Sequence, residues 1–273
     1  MNRMHRKVCV IAGATQGLGA AIARRLAAAG AAGIVVTGRN EARGTAVAEG
    51  VTAAFHVPAL FVRGDLASVE ECRGMIAAAD KRFGRVDVLV NAGASTERGT
   101  ILDTTPDLFD RIFATNVRGP FFLMQEAIKL MIREGVAGAI CNIGSISALA
   151  GQPFINPYCA SKGALTTLTA NTAFSVMRNR IRVNQLNIGW MASDNERQLQ
   201  AAESGDPDWL DKAAGQMPFG RLIDPEEAAR AVNFLVSDDA GLMTGAIVNF
   251  DQSVWGAVAG AMPIPNAPMQ VVT

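Results

Sequence analysis

The sequence predicts an α/β fold: a doubly wound, seven-stranded parallel sheet with helices on both faces. Three observations predict it. Seven short runs are apolar nearly throughout, as strands covered on both faces are. Longer segments of helical pattern alternate with them, which implies strand–helix–strand units with right-handed crossovers. The first run ends in a glycine-rich turn, and a helix follows it.

Taken in order, strands are expected at Val8–Ala12, Gly33–Thr37, Ala59–Val62, Val86–Val90, Ala139–Ile143, Arg182–Leu186 and Ala246–Phe250. Helices are expected near 17–29, 40–54, 68–83, 106–133, 157–178 and 224–237. Two helix starts are well marked. Asp224-Pro225-Glu226-Glu227 offers an N-cap, a first-turn proline and a capping-box glutamate, and Thr105-Pro106-Asp107 offers a cap and a proline. The stretch 188–223 is the least regular, and the tail 256–273, with Pro263, Pro265 and Pro268, is not expected to be helical.

No linker rich in Pro, Gly or Ser divides the chain, so residues 1–273 read as a single domain. Within it, 188–223 reads as a substrate lid: a long connection after strand six, broken by Gly205, Pro207, Gly215 and Pro218. Trp190, Met191, Trp209, Met217 and Phe219 would cover an apolar pocket, or serve as core or interface residues. Asp206-Pro207-Asp208-Trp209 resembles a short helix start. Leu242, Met243 and Gly245 read as packing before the last strand.

Composition narrows the function. Hydrophobic residues at 49% and charged residues at 18% supply a large core and argue against disorder. Lys plus Arg equals Asp plus Glu at 25 each, so no net charge draws the chain to nucleic acid or a membrane surface. Cys9, Cys72, Cys141 and Cys159 are scattered without a CxxC pair, which reads as thiols in a reducing cytoplasm and gives no metal site. Arg3, His5, Arg6 and Lys7 before Val8–Ala12 resemble a leader, but the apolar run stops at Gly13, so a buried first strand explains it better. Arg24 and Arg25 break the longest apolar stretch, and a soluble, cytoplasmic protein is expected.

The turn Gly13-Ala14-Thr15-Gln16-Gly17-Leu18-Gly19 opens the first helix. Glycines there let backbone approach a diphosphate, and the helix amides and dipole favour its charge. The spacing is GxxxGxG, not GxGxxG, and a packing turn is the alternative. Strand two ends at Thr37-Gly38-Arg39, where an acid would bind ribose hydroxyls. Gly38 offers none, and Arg39 is suited to a 2′-phosphate. NADP is therefore the expected cofactor and NAD the alternative.

Tyr158 is the only tyrosine, and Lys162 follows it by one helical turn, so both face one way. A free phenol, with pKa near 10, is a poor base at neutral pH, and a nearby ammonium would lower that value. Such a tyrosine gives a proton to a carbonyl oxygen or takes one from an alcohol. Ser145, just past the fifth strand, could hold the substrate oxygen beside it.

With these motifs in order, residues 6–255 resemble the short-chain dehydrogenase/reductase family. Gly13, Gly17 and Gly19 match its glycine loop, with Ala12 for the usual Thr. Asp65-Leu66 matches the adenine-contacting Asp, and Asn91-Ala92-Gly93 matches NNAG with Val90 in the first place. Asn116, Ser145, Tyr158 and Lys162 match the catalytic tetrad, and Asn187-Ile188-Gly189 matches NPG with Ile188 for Pro. The resemblance implies a Rossmann-type domain and a set of roles. Ser145 orients the substrate oxygen and Tyr158 is the acid/base. Lys162 lowers the phenol pKa and bonds the nicotinamide ribose, and Asn116 holds a proton-relaying water. Thr15, Gln16 and Leu18 would join the loop glycines, Arg39, Asp65, Leu66, Asn91 and Gly93 around the cofactor. Gly189 and Met191 would line the nicotinamide, and Ser193 would reach its amide. A homotetramer, formed partly through the helices carrying Asn116 and Tyr158, is implied as well.

The expected function is hydride transfer between NAD(P)(H) and a carbonyl or secondary alcohol. Asp194, Asn195 and Glu196 near the expected pocket point to a polyol or sugar as the small-molecule substrate. A non-catalytic dinucleotide-binding redox sensor is the alternative. A Ser-His-Asp hydrolase is disfavoured, because no GxSxG elbow is present and His5 and His56 are the only histidines.

Overall fold

The computed structural model describes residues 4–149, 151–206, 208–254 and 269–270. The expected non-helical tail at 256–268, and Pro207 of the proposed helix start, lie outside the described residues. Seven parallel strands form one sheet: β1 (Val8–Ala12), β2 (Gly33–Gly38), β3 (Ala59–Arg63), β4 (Val88–Asn91), β5 (Ala139–Ser145), β6 (Arg182–Ile188) and β7 (Ile247–Phe250). Their order is β3-β2-β1-β4-β5-β6-β7, so the chain reverses direction across the sheet between β1 and β4. β1, an interior strand, is buried along its whole length, whereas the edge strands β3 and β7 are mostly half-buried.

Side chains of successive strand residues alternate between two cores. Cys9 and Ile11 join the layer under α1 (Gly17–Ala28), α2 (Glu41–Phe55) and α9 (Pro225–Val236). Val10 and Ala12 join the layer under α3 (Val69–Phe83), α5 (Gly119–Arg133) and α6 (Asn156–Val176). Each packed face is a full apolar stripe, which is what holds a parallel sheet out of water. Asp224 caps α9 by accepting from Glu226 N at 2.9 Å, and Glu227 completes the capping box, as the sequence predicts. Thr105 likewise caps α4 (Pro106–Phe113). No helix among the described residues is long and apolar enough to cross a membrane.

Four features differ from expectation. The helix expected over 106–133 is three pieces: α4, a π turn at Ala114–Arg118, and α5. Pro120 is the cause, since it has no N–H to offer the Asn116 carbonyl four residues earlier, and the hydrogen-bond register shifts there. The irregular stretch 188–223 contains two helices, α7 (Asp194–Ser204) and α8 (Trp209–Gln216). Leu242 does not pack before the last strand but is 97% exposed, because Gly241 turns the chain outward. Finally, β6 is not apolar: Asn184, Gln185 and Asn187 are buried within it, each satisfied by other polar groups.

Candidate active site

In a doubly wound sheet ligands bind beyond the strand carboxyl ends, at the point where strand order reverses. Here that point is the gap between the loops after β1 and β4. Gly13 lies in the left-handed region (φ 77°), and a Cβ on it would run into the Cα of Gly93. The two backbones therefore touch, which only glycine allows. Gly13 N and Ala14 N both donate to Thr37 O, at 3.1 and 2.9 Å, pinning the loop to β2. Gln16 occupies the N-cap of α1 but makes no side-chain cap bond, so the first-turn amides of Gly17, Leu18 and Gly19 remain open to an anion. This glycine cradle, with its open helix terminus, fits a dinucleotide diphosphate.

One flank of the cradle is built from β2 and β3. Arg39 is exposed just past β2. A Cβ on Gly38 would stand 2.6 Å from Thr15 Cγ2, leaving no room for a ribose-binding acid at that position. Arg43, on the first turn of α2, donates to Gln16 Oε1 and so reaches over the glycine loop. Sequence reasoning missed Arg43, although Asn40 as an N-cap, accepting from Arg43 N, would have placed it on the same rim as Arg39. Asp65 is half-buried after β3, with Oδ1 accepting from Ala67 N at 2.9 Å. Leu66 is buried against Gly93. Asn91 is buried at the end of β4 and donates to Asn142 Oδ1 at 2.7 Å.

Beyond β5 the proton-active groups converge. Ser145, the last residue of β5, is buried and its hydroxyl accepts from Ser147 N at 3.1 Å. It also hydrogen-bonds the Tyr158 phenol, which projects from the first turn of α6. Lys162, one turn further on, is only 3% exposed. Its ammonium donates to Ile143 O at 2.8 Å and lies 5.6 Å from the centre of the Tyr158 ring. Asn116, in the π turn, is buried; Oδ1 accepts from Ser95 N at 2.8 Å, while Nδ2 donates to Ser95 O at 2.9 Å and to Ser161 Oγ at 3.0 Å. Ser161 Oγ in turn donates to Tyr158 O at 2.7 Å. Asn116 is thus joined to the start of α6 through Ser161, a link that the motif spacing did not show. The two histidines are elsewhere: His5 precedes β1 and His56 ends α2, both at the opposite, amino edge of the sheet.

Electrostatics depart from expectation. The Tyr158 phenol is pushed up to about 12 by burial; the Ser145 hydrogen bond pulls it down, and Cys159 and Glu196 raise it further. Burial drives Lys162 down to about 8. The expected lowering of the phenol by the ammonium is not what the structure shows. Loss of water from both groups outweighs their mutual attraction, since burial penalises each charged form. At neutral pH the phenol therefore keeps its proton and Lys162 is still cationic.

The far wall comes from the segment after β6. Gly189 and Met191 are half-buried, and the chain forms a bridge between Met191 and Ile223. Ser193 caps α7 and lies over the glycine loop, where a Cβ on Gly17 would be 3.8 Å from its own Cβ. Trp190 Nε1 donates to Glu196 Oε1 at 2.8 Å, and its ring lies 6.3 Å from that of Trp209. Glu196 acts electrostatically on Tyr158, so this wall faces the same space as the phenol. Of the three polar residues singled out in the sequence, the side chains of Asp194 and Asn195 lie outside the described residues.

A dinucleotide-type glycine cradle beside a Ser–Tyr–Lys cluster defines the class: a nucleotide-dependent oxidoreductase on a doubly wound sheet. Comparison with known proteins narrows it. A family model described as enoyl-(acyl carrier protein) reductase matches residues 13–253. The chain is 36% identical to an uncharacterized oxidoreductase of Methylorubrum extorquens, over 91% of this chain and 98% of that one. It is 33% identical to the L-rhamnose 1-dehydrogenase (NAD(P)(+)) of Azotobacter vinelandii, over 90% and 95%. L-sorbose reductase from Gluconobacter frateurii, solved with NADPH and L-sorbose, superimposes with a TM-score of 0.89 at 27% identity, covering 94% of this chain and all of that one. The chain belongs to the short-chain dehydrogenase/reductase family and is an NAD(P)-dependent oxidoreductase.

Because Tyr158 is the sole tyrosine, near-ultraviolet phenolate absorbance reads it alone. The ligand-free protein should show no phenolate at pH about 10, where a free tyrosine is half ionised. Ser145→Ala removes the one contact that lowers the phenol pKa, so it should move ionisation higher still. Half-ionisation at or below about 10 would contradict the dominance of burial.

Proposed function

We propose that the protein interconverts a secondary alcohol and a carbonyl group on a polyol or sugar, using NADP in preference to NAD. The observation that carries it is the cluster of Ser145 hydroxyl, Tyr158 phenol and Lys162 ammonium on one side of the glycine cradle. Gly13, Thr15, Gln16, Gly17, Leu18, Gly19, Asn91, Gly93, Gly189, Met191 and Ser193 would hold the nicotinamide dinucleotide, which when bound would supply or accept the hydride. Everything else falls to the chain's own residues. Ser145 and Tyr158 hydrogen-bond the substrate oxygen. As a carbonyl carbon is reduced, the phenol proton passes to that oxygen, leaving a phenolate near the Lys162 ammonium, which stabilises it and returns a proton. The phenol's high affinity for its proton suits the donor role at neutral pH, and alcohol oxidation gains as pH rises. Asn116, held in the π turn, completes the proton path toward Lys162. A redox sensor without turnover would have no use for these groups.

Substrate class rests on the far wall. Glu196 offers a carboxylate to hydroxyl groups, and Trp190 and Trp209 offer apolar faces to the C–H side of a sugar ring. Relatives named for L-rhamnose and L-sorbose support this reading. A panel of polyols, sugars and simple ketones with both cofactors tests it, read by nicotinamide absorbance. Tyr158→Phe should keep cofactor binding and lose about 10²–10⁴-fold in turnover. Near-normal turnover in that variant ends the mechanism.

Cofactor choice rests on Arg39, with Arg43 beside it and Gly38 barred from carrying an acid. L-sorbose reductase, solved with NADPH, supports the same preference. Arg39→Ala should raise KM for NADP by about tenfold or more, the equivalent of roughly 1.4 kcal/mol, and leave KM for NAD little changed. Equal effects on both would reduce Arg39 to a surface residue.

Residues 188–223 are proposed to act as a lid within a single domain 1–273. They hang from the Met191–Ile223 bridge, and Gln252 holds the return strand by accepting from Phe219 N and donating to Arg221 O. Closure would exclude water from the hydride path. Exposed Phe121, on α5, lines with Phe113 and Phe122 a groove of about 700 Å³ that suits the subunit contact of a homotetramer, countable by sedimentation. Four free thiols, three of them buried, suit the cytoplasm. Hydrogen exchange over 190–218 should slow when cofactor and substrate bind together. Unchanged, high protection in the free protein would make the stretch a fixed wall.

A further inference from the structure

Three amides buried in one parallel strand are costly unless fully bonded. Gln185, in the middle of β6, is 0% exposed. Its Nε2 donates to Thr166 Oγ1 at 2.7 Å and to Asn187 Oδ1 at 2.7 Å. Its Oε1 faces Thr169 Oγ1 at 3.0 Å, a hydroxyl that shares its one proton between Gln185 Oε1 and Leu165 O (2.8 Å) and accepts from Asn142 Nδ2 at 2.8 Å. Thr166 and Thr169 belong to α6, on the face that carries Tyr158 and Lys162, since the positions 158, 162, 166 and 169 follow helical spacing.

The bond to Thr166 runs on toward the site. Thr166 Oγ1 donates to the backbone carbonyl of Lys162 at 3.1 Å, and the Lys162 ammonium donates to Ile143 O at 2.8 Å. Lys162 is thereby tied to β6 through its main chain and to β5 through its side chain. β5 makes room for this arrangement. A Cβ on Gly144, next to Ser145, would overlap both Asn187 Oδ1 and Gln185 Nε2.

Stability alone does not call for this network. Replacing both partners of a buried hydrogen bond by apolar groups of the same shape is close to neutral. Apolar contact is non-directional, however, whereas a hydrogen bond fixes distance and angle. Proton transfer needs heavy atoms within about 2.6–3.2 Å, so the axial position of α6 against the end of β5 decides whether Tyr158 meets Ser145 and the substrate oxygen together.

We propose that Gln185 is a positioning residue for the proton-transfer pair: through Thr166 and Thr169 it fixes α6 against β6, and so sets Tyr158 and Lys162 opposite Ser145. The inference rests on the reading of Tyr158 and Lys162 as the proton-transfer groups. Gln185 touches neither substrate nor cofactor, and it acts through α6.

The test uses the full chain with a substrate from the panel and four variants: Gln185→Met, Thr166→Val, Thr166→Ser and the double variant Gln185→Met/Thr166→Val. In Gln185→Met and in Thr166→Val, kcat should fall by about 10- to 100-fold, the scale of a sub-ångström to ångström misplacement. KM for the cofactor should stay unchanged. Thr166→Ser keeps the hydroxyl and should keep kcat. The double variant removes both ends of the Gln185–Thr166 bond but still leaves Asn187 Oδ1 without its donor, so its melting temperature should fall by less than the two single losses together while kcat stays low. A merely structural role gives kcat losses that follow the melting-temperature losses across the variants. That outcome, or a parent-like kcat in Gln185→Met or Thr166→Val, overturns the proposal. If Gln185→Met fails to fold, the Val and Ser variants of Thr166, which differ in one hydroxyl, decide alone. Tyr158→Phe separates the two claims. If it is inactive while Gln185→Met is fully active, only the positioning role falls; if it is active, the site reading falls and takes the positioning role with it.

Discussion

A buried ammonium sets the terms for the rest of the site. Lys162 gives up water, keeps one carbonyl partner from β5, and is held down to about 8 in consequence. A cation in that position is costly, and the surroundings are arranged around the cost. The Ile143 carbonyl that receives it belongs to the sheet interior, so the ammonium is anchored to the most rigid part of the molecule. Tyr158 stands one helical turn away in the same dry space, and there the phenolate would be equally costly. At neutral pH the ammonium persists beside a neutral phenol, and a phenolate formed there would have that one cation as its neighbour.

The molecule divides this work between two halves of the sheet. β1, β2 and β4 supply backbone: open amides, touching glycines and an unobstructed strand end. β5, β6 and α6 supply side chains whose positions are fixed by burial and hydrogen bonds. On the proposed reading, the first half fits a ligand by shape and charge, and the second sets a reaction by placement. α7 belongs to neither, and reaches both through Ser193 over the glycine loop and Glu196 toward the phenol.

How much of this was legible in the sequence follows from which forces are local. Strand runs, the Asp224 and Thr105 caps, the glycine turn and the Tyr158–Lys162 spacing were readable, because periodicity and turn chemistry act over a few residues. The π turn was half legible: Pro120 stands in the chain as a missing donor, but a continuous apolar stripe on either side hides the break. The amides of β6 were not legible as a network. Asn184, Gln185 and Asn187 are visible in the sequence, but their partners come from α6 and from β7 and the turn before it, far along the chain. The reversed balance at Tyr158 was hidden for a similar reason. Spacing shows that the ammonium is near, whereas only the packed structure shows how little water remains.

The contact between Gly144 and the amide pair of β6 bears on how such enzymes are recombined. Positions 144, 185 and 187 lie on neighbouring strands and share one volume: whatever Gln185 and Asn187 occupy, Gly144 has to leave empty. They form a single steric unit spread over two segments of chain. A β5 segment taken from a relative with any side chain at position 144 would bring a steric conflict into the strand that ends in Ser145. A foreign β6 lacking the amides would leave a cavity beside the glycine and two α6 threonines short of partners. In this chain, β5 and β6 would therefore have to be exchanged as one piece.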